Sequence, residues 1–465
     1  MKDVIVRLQE IQLVNFKNVE NGKITLQSYN NKKKDIQNNN SEADILGIYG
    51  QNGSGKTALI NALSILKVIM SGERLPKNTI NLISATSNKC VLKFVFLIEH
   101  EDERFLAYYD LEIRKNSDDN IAEICRETLS YASLNGETKK NKIIDSDNDD
   151  MKIVFRPMNK YNELISSNKD NLLNLSVAKV LAKKEKKSFI FNDDSTNIFH
   201  NGFKNSPNYS NIIISLSNFA KINLFVIDNE QLGIINMNQL IPFTFRLENK
   251  ENVISGDCFA LFEKSNVSEK TYRLLDKIKN QINIVISAIV PGLNIDIVNY
   301  GNELDKNGNM KMNIELVSIR EEKRIPLKYE SEGIKKIISI LSAIIAMYNN
   351  RTICLAVDEL DAGVFEYLLG EMLDVLQENA KGQFIFTSHN LRVLEKLNKE
   401  SIVFTTTNPK NRYIRLGNVK SNNNLRDFYL RGISLGGQKE ELYESTNTFE
   451  INYAFKRAGK IAYEE

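Results

Sequence analysis

One segment constrains the chain more than any other, because it joins an apolar run, a glycine-rich loop and a helical pattern. ILGIYG (45–50) runs directly into QNGSGKT (51–57), and ALINALSILKVIM (58–70) follows with apolar residues at helical spacing. Between a strand and a helix, such glycines let backbone N–H groups turn inward around phosphate oxygens, and the helix points its positive end at them. The predicted phosphate-binding residues are Gly50, Gln51, Asn52, Gly53, Ser54, Gly55, Lys56 and Thr57.

The same pattern gives individual roles to three side chains. Lys56 is expected to reach the β- and γ-phosphates of a nucleotide, and the Thr57 hydroxyl is expected to ligate Mg²⁺. ICLAVDE (353–359) is an apolar strand that ends in two carboxylates, so that Asp358 would hold Mg²⁺ beside the loop. Glu359 would then polarise the attacking water. Acidic residues also follow strands for structural reasons, and it is the upstream loop that favours the catalytic interpretation.

Two further segments have both a structural and a functional interpretation. FIFTSHN (384–390) is a second apolar strand, and it ends in His389, one of three histidines in the chain. A histidine after a strand is usually structural. In YESEGIKK (329–336), Ser331 is the predicted N-cap of a helix with an apolar face, and on local grounds a capped, buried helix is all that this pattern requires.

Composition and charge bound the class of protein. Apolar residues make up 42% of the 465 residues and charged residues 26%, which is typical of a globular protein. A net charge of +2 lacks the basic excess typical of nucleic-acid binders, and the lysine clusters at 32–34 and 183–187 are interpreted as solvated surface. Four scattered cysteines favour neither a zinc site nor a disulfide framework. With no long apolar segment, the chain is expected to be cytoplasmic, without a membrane partner.

The pattern along the chain predicts an α/β fold in four parts. Residues 1–135 would hold the phosphate-binding loop, a hairpin turning at Asn21-Gly22, a loop over 29–44 and an antiparallel meander from about residue 90. Residues 136–310 are predicted to form an inserted, largely helical subdomain with polar linkers. Residues 311–410 alternate strands and helices, which predicts a parallel core with flanking helices, and residues 411–465 form a C-terminal extension.

In this order and connectivity, the four motifs resemble those of the ABC ATPase superfamily. More narrowly, residues 1–135 and 311–410 resemble the SMC-like and OLD-like bacterial "AAA family ATPases" of anti-phage defence or abortive-infection systems, including PARIS-, AbiL- and retron- or Septu-associated ATPases. The resemblance implies an ABC-type P-loop ATPase head that binds ATP and Mg²⁺. It also implies that His389 contacts the γ-phosphate, that Asn15-Phe16-Lys17 lie near the nucleotide, and that Ser331 and Gly333 grip the nucleotide of a second protomer.

From this resemblance we expect an ATP-dependent dimer or higher homo-oligomer whose ATP hydrolysis is slow and regulatory. The resemblance therefore implies a sensor or scaffold that controls an effector, a nuclease or toxin from a neighbouring gene, in response to DNA or a phage protein. The alternative is an SMC-like clamp for DNA maintenance or repair. A transporter ATPase subunit is a third possibility, which the long segment between Lys56 and Ser331 disfavours.

The chain also departs from these families. Glu330 stands where transporters carry Leu, and Ile334 stands where they carry Gln or Glu. Phe365 stands where the segment after the second carboxylate would end in Asp. No glutamine is found for the loop that senses the γ-phosphate. The residues after His389 contain no D-x-D, so a Toprim nuclease domain is not expected. The acidic run DSDNDD (145–150) is interpreted as a solvated linker.

Overall fold

A computed structural model describes residues 4–26, 44–101, 103–116, 121–134, 139–203, 206–228, 240–248, 253–261, 264–304, 308–416, 424–435 and 439–461. Residues 29–43 of the predicted loop, with its lysines at 32–34, lie outside the described residues, and its last residue, Asp44, begins a strand instead. No helix in the described ranges is both long enough and apolar enough to cross a membrane.

The strands are β1 (Ile5–Phe16), β2 (Val19–Thr25), β3 (Asp44–Tyr49), β4 (Lys89–His100), β5 (Glu103–Asn116), β6 (Ile121–Ser133), β7 (Asn141–Asp147), β8 (Leu224–Ile227), β9 (Leu240–Glu248), β10 (Val253–Leu261), β11 (Ser265–Ser268), β12 (Asn294–Leu304), β13 (Met310–Arg320), β14 (Lys323–Pro326), β15 (Cys354–Val357), β16 (Gln383–Thr387), β17 (Ile402–Thr405) and β18 (Tyr413–Ile414). The α-helices are α1 (Lys56–Met70), α2 (Met158–Ser167), α3 (Asn171–Glu185), α4 (Asp193–Gly202), α5 (Pro207–Asn218), α6 (Glu269–Ile289), α7 (Glu332–Asn349), α8 (Glu366–Asn379), α9 (Val393–Lys396), α10 (Leu425–Leu435) and α11 (Thr448–Ile461).

A parallel sheet positions the motifs. Its order is β18-β17-β3-β16-β15-β8, and only the β17–β18 pair is antiparallel. Every residue of β3, β8, β15, β16 and β17 is buried, as expected for strands covered on both faces. Alternate side chains enter two cores: Leu46 and Ile48 pack with α1, whereas Ile45 and Tyr49 pack with α7 and α8. The predicted α/β fold with a parallel core is confirmed.

The predicted antiparallel meander is also present, as a sheet of order β2-β1-β4-β5-β6-β7 that shares the core around α1. The predicted turn at Asn21-Gly22 is wrong, because the chain turns at Lys17-Asn18 and Phe16 pairs with Val19. Gly22 serves a different purpose within β2. A Cβ there would lie 2.5 Å from the Tyr413 ring, so the residue lets the C-terminal part of the chain pack closely.

Residues 136–310 contain helices α2 to α6, but they also contain strands that the sequence pattern missed. β7 extends the antiparallel sheet and β8 forms an edge of the parallel sheet, so both belong to the sheets on either side. A further antiparallel sheet joins β11, β12, β13 and β14. β8 was missed because LFVI is only four residues long, and a fully buried short run has the same apolar pattern in a strand and in a helix. The division into domains stays a proposal.

The interpretation of DSDNDD as a solvated linker is wrong for its first residues, which form the end of β7. Asp145 is buried and accepts hydrogen bonds from Arg126 Nε at 2.8 Å and Lys142 Nζ at 2.5 Å. Its ion pairs with Arg126 and Lys142 explain why an acidic residue is buried here.

The C-terminal extension is only partly packed. β18 completes the parallel sheet, and Leu442 is buried in the core around α7. By contrast, residues 448–459 of α11 are all exposed, including Phe449, Tyr453 and Phe455.

Candidate nucleotide-binding site

The predicted phosphate-binding loop lies between β3 and α1, as its sequence pattern requires. Gly55 precedes the helix with φ 97°, a left-handed conformation that favours glycine. Ser54 Oγ lies 2.6 Å from the Gln51 carbonyl oxygen and 2.5 Å from Thr405 Oγ1, and the Tyr413 hydroxyl donates to the Gly55 carbonyl at 2.7 Å. The loop is therefore held by residues of β17 and β18 that are distant in sequence.

Lys56 is the cation of this loop. Its Nζ donates to the carbonyl oxygens of Gly50 at 2.8 Å and Gln51 at 2.9 Å, so the ammonium is folded back over the loop. Burial lowers the pKa of Lys56 to about 8, and the carboxylates of Asp358 and Glu359 oppose this shift. A half-desolvated ammonium surrounded by loop carbonyls is well placed to exchange them for phosphate oxygens.

Asp358 follows β15 and lies opposite the loop. The Thr57 hydroxyl is 3.5 Å from Asp358 Oδ1, and the Thr387 hydroxyl donates to the same oxygen at 2.6 Å. Asp358 is fully buried, and its Oδ2 has no hydrogen-bond partner in the described ranges. An orphaned buried carboxylate oxygen beside a threonine hydroxyl fits Mg²⁺, which prefers hard oxygen ligands. The structure therefore brings the two predicted metal ligands together.

Glu359 begins the turn after β15 in a left-handed conformation, with φ 45°. Its N–H donates to Thr387 Oγ1 at 2.7 Å, so one threonine holds both acidic residues. The Glu359 carboxylate is close enough to act electrostatically on both Lys56 and His389. The structure thus groups the predicted catalytic carboxylate with the phosphate-binding lysine.

His389 follows β16, the strand beside β15. Its backbone N–H donates to Asp361 Oδ2 at 3.0 Å. His389 also lines a cavity of about 330 Å³ together with Glu366 and Arg392. Burial and the Lys56 charge lower the pKa of His389, although three nearby carboxylates oppose them. A neutral imidazole has one donor and one acceptor nitrogen, which suits it to contact a phosphate or a water molecule.

The predicted helix cap at Ser331 is confirmed. Ser331 Oγ accepts a hydrogen bond from the Ile334 N–H at 3.4 Å and begins α7. Gly333 packs on the turn after β15, where a Cβ would lie 1.9 Å from the Gly363 carbonyl oxygen. Ser331 is exposed, and so are Tyr329 and Phe365, each at 71%. The first turn of α7 therefore contacts the turn after β15 (residues 358–363, the acidic turn) on one side and presents Ser331 to solvent.

Residues 15–17 were expected near the nucleotide, and Lys17 donates to Asn61 Oδ1 of α1 at 2.9 Å. Burial lowers the pKa of Lys17, and the Asp358 charge opposes that shift, which places Lys17 within electrostatic reach of the site. Asn18, which the sequence did not single out, donates to the Gly53 carbonyl. That residues 15–17 lie near a bound nucleotide stays a prediction.

Several site residues were missed by sequence reasoning. Thr387 and Thr405 stand at strand ends, where a polar residue after an apolar run is the only available signal. Lys336 lies inside α7 and donates to the Glu359 carbonyl, and nothing in its local sequence distinguishes it from the neighbouring Lys335.

Residues 45–395 match the protein family described as "AAA domain, putative AbiEii toxin, Type IV TA system". No curated protein matches the chain. Similar solved structures include an Smc head bound to the C-terminal winged-helix domain of ScpA, with 13% identity, coverage of 88% of this chain and 97% of that one, and a TM-score of 0.41. The SMC head domain from Thermotoga maritima has 13% identity, coverage of 88% and 99%, and a TM-score of 0.35. RecF with ATP, a recombination mediator protein, has 13% identity, coverage of 83% and 94%, and a TM-score of 0.32.

The family match spans the phosphate-binding loop, both carboxylates after β15 and the histidine after β16. Thr405 and Tyr413, which hold the loop, lie outside the matched range. The chain belongs to this AAA-domain family.

Proposed function

We propose that the protein is an ATP-hydrolysing, ABC-type ATPase that dimerises around ATP and thereby controls a partner effector. The observation that carries the proposal is the grouping of Lys56, Asp358 and Glu359 at the carboxyl ends of β3 and β15, which lie on either side of β16 in the parallel sheet. A lysine within a glycine-rich loop, a carboxylate with an orphaned oxygen and a second carboxylate one residue on are the parts that nucleoside triphosphate hydrolysis needs.

Each side chain has a role in this proposal. The loop N–H groups and Lys56 bind the phosphates, and Thr57 and Asp358 would hold Mg²⁺, which neutralises charge on the phosphate oxygens when bound. Glu359 orients the attacking water and takes its proton. His389, whose lowered pKa favours the neutral form, donates a hydrogen bond toward the γ-phosphate end of the site. The products are ADP and phosphate.

Dimerisation is supported by the exposed start of α7. Ser331 and the N–H groups of the first helical turn form a surface that suits an anion, because a helix N-terminus carries positive partial charge. Tyr329 and Phe365 expose large aromatic surfaces around it, as contact residues of a protein interface do. In the proposed dimer, this surface covers the nucleotide held at Lys56 of the second copy, with Ser331 and Gly333 in contact with it.

Control of an effector is supported by the toxin–antitoxin context that the family description names. Closure and opening of the dimer would hold or release a nuclease or toxin encoded nearby, in response to a phage protein or DNA. On this proposal, slow hydrolysis sets how long the closed state lasts, and the protein works in the cytoplasm.

Phosphate release tests the enzymatic part. The wild type should release phosphate from ATP in the presence of Mg²⁺, and Lys56→Ala and Glu359→Gln should each abolish it for different reasons. Lys56→Ala should lose nucleotide binding, whereas Glu359→Gln should retain it. A wild type that binds no ATP, or a Glu359→Gln variant that hydrolyses it at the wild-type rate, would refute the assignment.

Phage challenge tests the effector part. Cells that express the chain with its neighbouring gene should resist infection, and Glu359→Gln should remove or deregulate that resistance. Equal resistance with and without a working nucleotide site would show that ATP does not control the effector.

A further inference from the structure

Lys336 is a buried lysine that the proposed hydrolysis does not yet use. It lies in the second turn of α7, is 3% exposed, and donates a hydrogen bond to the Glu359 carbonyl oxygen. Buried lysines are rare unless they are paired. The carboxylates of Asp361, Glu359 and Asp358 act on this ammonium electrostatically, so its surroundings are the acidic turn after β15.

With this contact, both the backbone N–H and the backbone carbonyl of Glu359 are held by hydrogen bonds. The Glu359 N–H donates to Thr387 Oγ1, and its carbonyl accepts from Lys336 and from the Ala362 N–H at 2.9 Å. Glu359 also has the left-handed φ of 45°, which is unfavourable for a residue with a side chain. Such a conformation persists where its surroundings fix it, and here Lys336 contributes one of the fixed points.

Lys336 also connects Glu359 to the exposed helix start. It lies five residues after Ser331 on the same helix, and Gly333 packs directly on Gly363 at the end of the acidic turn. The first two turns of α7 therefore touch the acidic turn at two places, through Gly333 and through the Lys336 ammonium. Any shift of α7 that accompanies binding at Ser331 would reach the Glu359 peptide through these contacts.

We propose that Lys336 is a positioning residue for ATP hydrolysis. Its ammonium holds the Glu359 peptide in the left-handed conformation that keeps the carboxylate at the phosphate-binding loop, and it links this conformation to the helix that carries Ser331. This inference rests on the proposed ATPase function and names a residue through which one nucleotide site of the dimer would influence the other.

Burial lowers the pKa of Lys336 to about 8, and the three carboxylates oppose the shift. The group is therefore mainly an ammonium at neutral pH. A purely structural role, in which Lys336 only offsets the negative charge of the turn, would affect stability without selectively slowing hydrolysis. Kinetics and local hydrogen exchange distinguish the two roles.

The test compares Lys336→Met with Lys336→Arg and with Ser339→Ala as a control. Ser339 is buried one turn further along α7, and its hydroxyl donates only to the Lys336 carbonyl, so its removal changes helix packing without touching Glu359. For Lys336→Met we expect kcat to fall by about tenfold to hundredfold, the scale that follows from a displacement of about 1 Å. KM for ATP should stay within about threefold, because nucleotide binding does not use Lys336.

Lys336→Arg, which keeps a charged donor, should recover part of the lost kcat, and Ser339→Ala should match the wild type. Hydrogen–deuterium exchange at the Ala362 amide, which bonds the Glu359 carbonyl, should be faster in Lys336→Met. The inference is overturned if kcat stays within about twofold of the wild type, or if kcat falls while exchange at Ala362 is unchanged. If Lys336→Met does not fold, Lys336→Gln takes its place under the same criteria. A wild type without ATPase activity would instead refute the proposed function itself.

Discussion

Thr387 holds the Asp358 carboxylate and the Glu359 backbone, and its replacement by valine gives a quantitative prediction. Its hydroxyl donates to Asp358 Oδ1 at 2.6 Å and accepts from the Glu359 N–H at 2.7 Å. The side chain is 1% exposed, so no water replaces these bonds once the hydroxyl is gone. Valine has the same shape, which means that the change removes the two hydrogen bonds and leaves the packing intact.

A buried polar group that loses its partner costs roughly 1–3 kcal/mol, and two groups lose one here, which gives about 2–6 kcal/mol for Thr387→Val. Thr79→Val is the matched control. Thr79 is also fully buried, but its hydroxyl has no hydrogen-bond partner in the described ranges. Its removal relieves a desolvation penalty, so the free energy of unfolding should stay the same or rise by up to about 1 kcal/mol.

Urea unfolding of both variants, combined with phosphate release, measures these effects. Thr387→Val should lower the free energy of unfolding and reduce kcat, because the Asp358 carboxylate and the Glu359 backbone lose their common anchor. The reasoning fails if Thr387→Val unfolds within about 1 kcal/mol of the wild type, the scale of an ordinary single substitution. It also fails if Thr79→Val is destabilised to the same extent as Thr387→Val.

Two further predictions concern the helix start and the histidine. Gly333→Ala places a methyl group 1.9 Å from the Gly363 carbonyl oxygen, so thermal denaturation should show a loss of about 1–3 kcal/mol together with a loss of ATPase activity. Gly459→Ala, which meets nothing within 4 Å, should keep both, and an equally destabilised control would contradict the argument. Because burial and the Lys56 charge lower the pKa of His389, its ring should titrate below pH 6.5 by NMR. The ring should therefore be neutral at pH 7 and become charged only at more acidic pH. The signal is assignable by its loss in His389→Asn, since the chain has three histidines, and a titration midpoint above 6.5 would contradict the assigned environment.

Features with a local cause were predictable from the sequence. The phosphate-binding loop needs glycines, a lysine and a threonine at fixed spacing, and the Ser331 cap needs a hydroxyl just before a helix, so both are visible in a few consecutive residues. Asp358 was predictable because it follows a fully buried strand, and the ends of parallel strands meet at one edge of a sheet. The role of His389 was expected only from the family resemblance, because a histidine after a strand is usually structural.

Features that depend on contacts between distant residues were not predictable. Ser54 and Thr405 touch across 351 positions of sequence, and Lys336 reaches Glu359 only because α7 packs on the parallel sheet. β8 is apolar, but its four residues do not reveal that it pairs with β15 rather than lying in a helix. The turn at Lys17-Asn18 was misplaced because Asn21-Gly22 has the stronger turn composition, although its glycine is needed for contact with Tyr413.

In the proposed dimer, the site for ATP at Lys56 of one copy is completed by Ser331 of another. Light scattering of the hydrolysis-deficient Glu359→Gln variant, with and without ATP and Mg²⁺, tests it most directly. We expect twice the monomer mass with ATP, and loss of that species when Ser331→Arg is added. A Glu359→Gln protein that binds ATP yet has the same mass in its presence and absence would contradict the composite site.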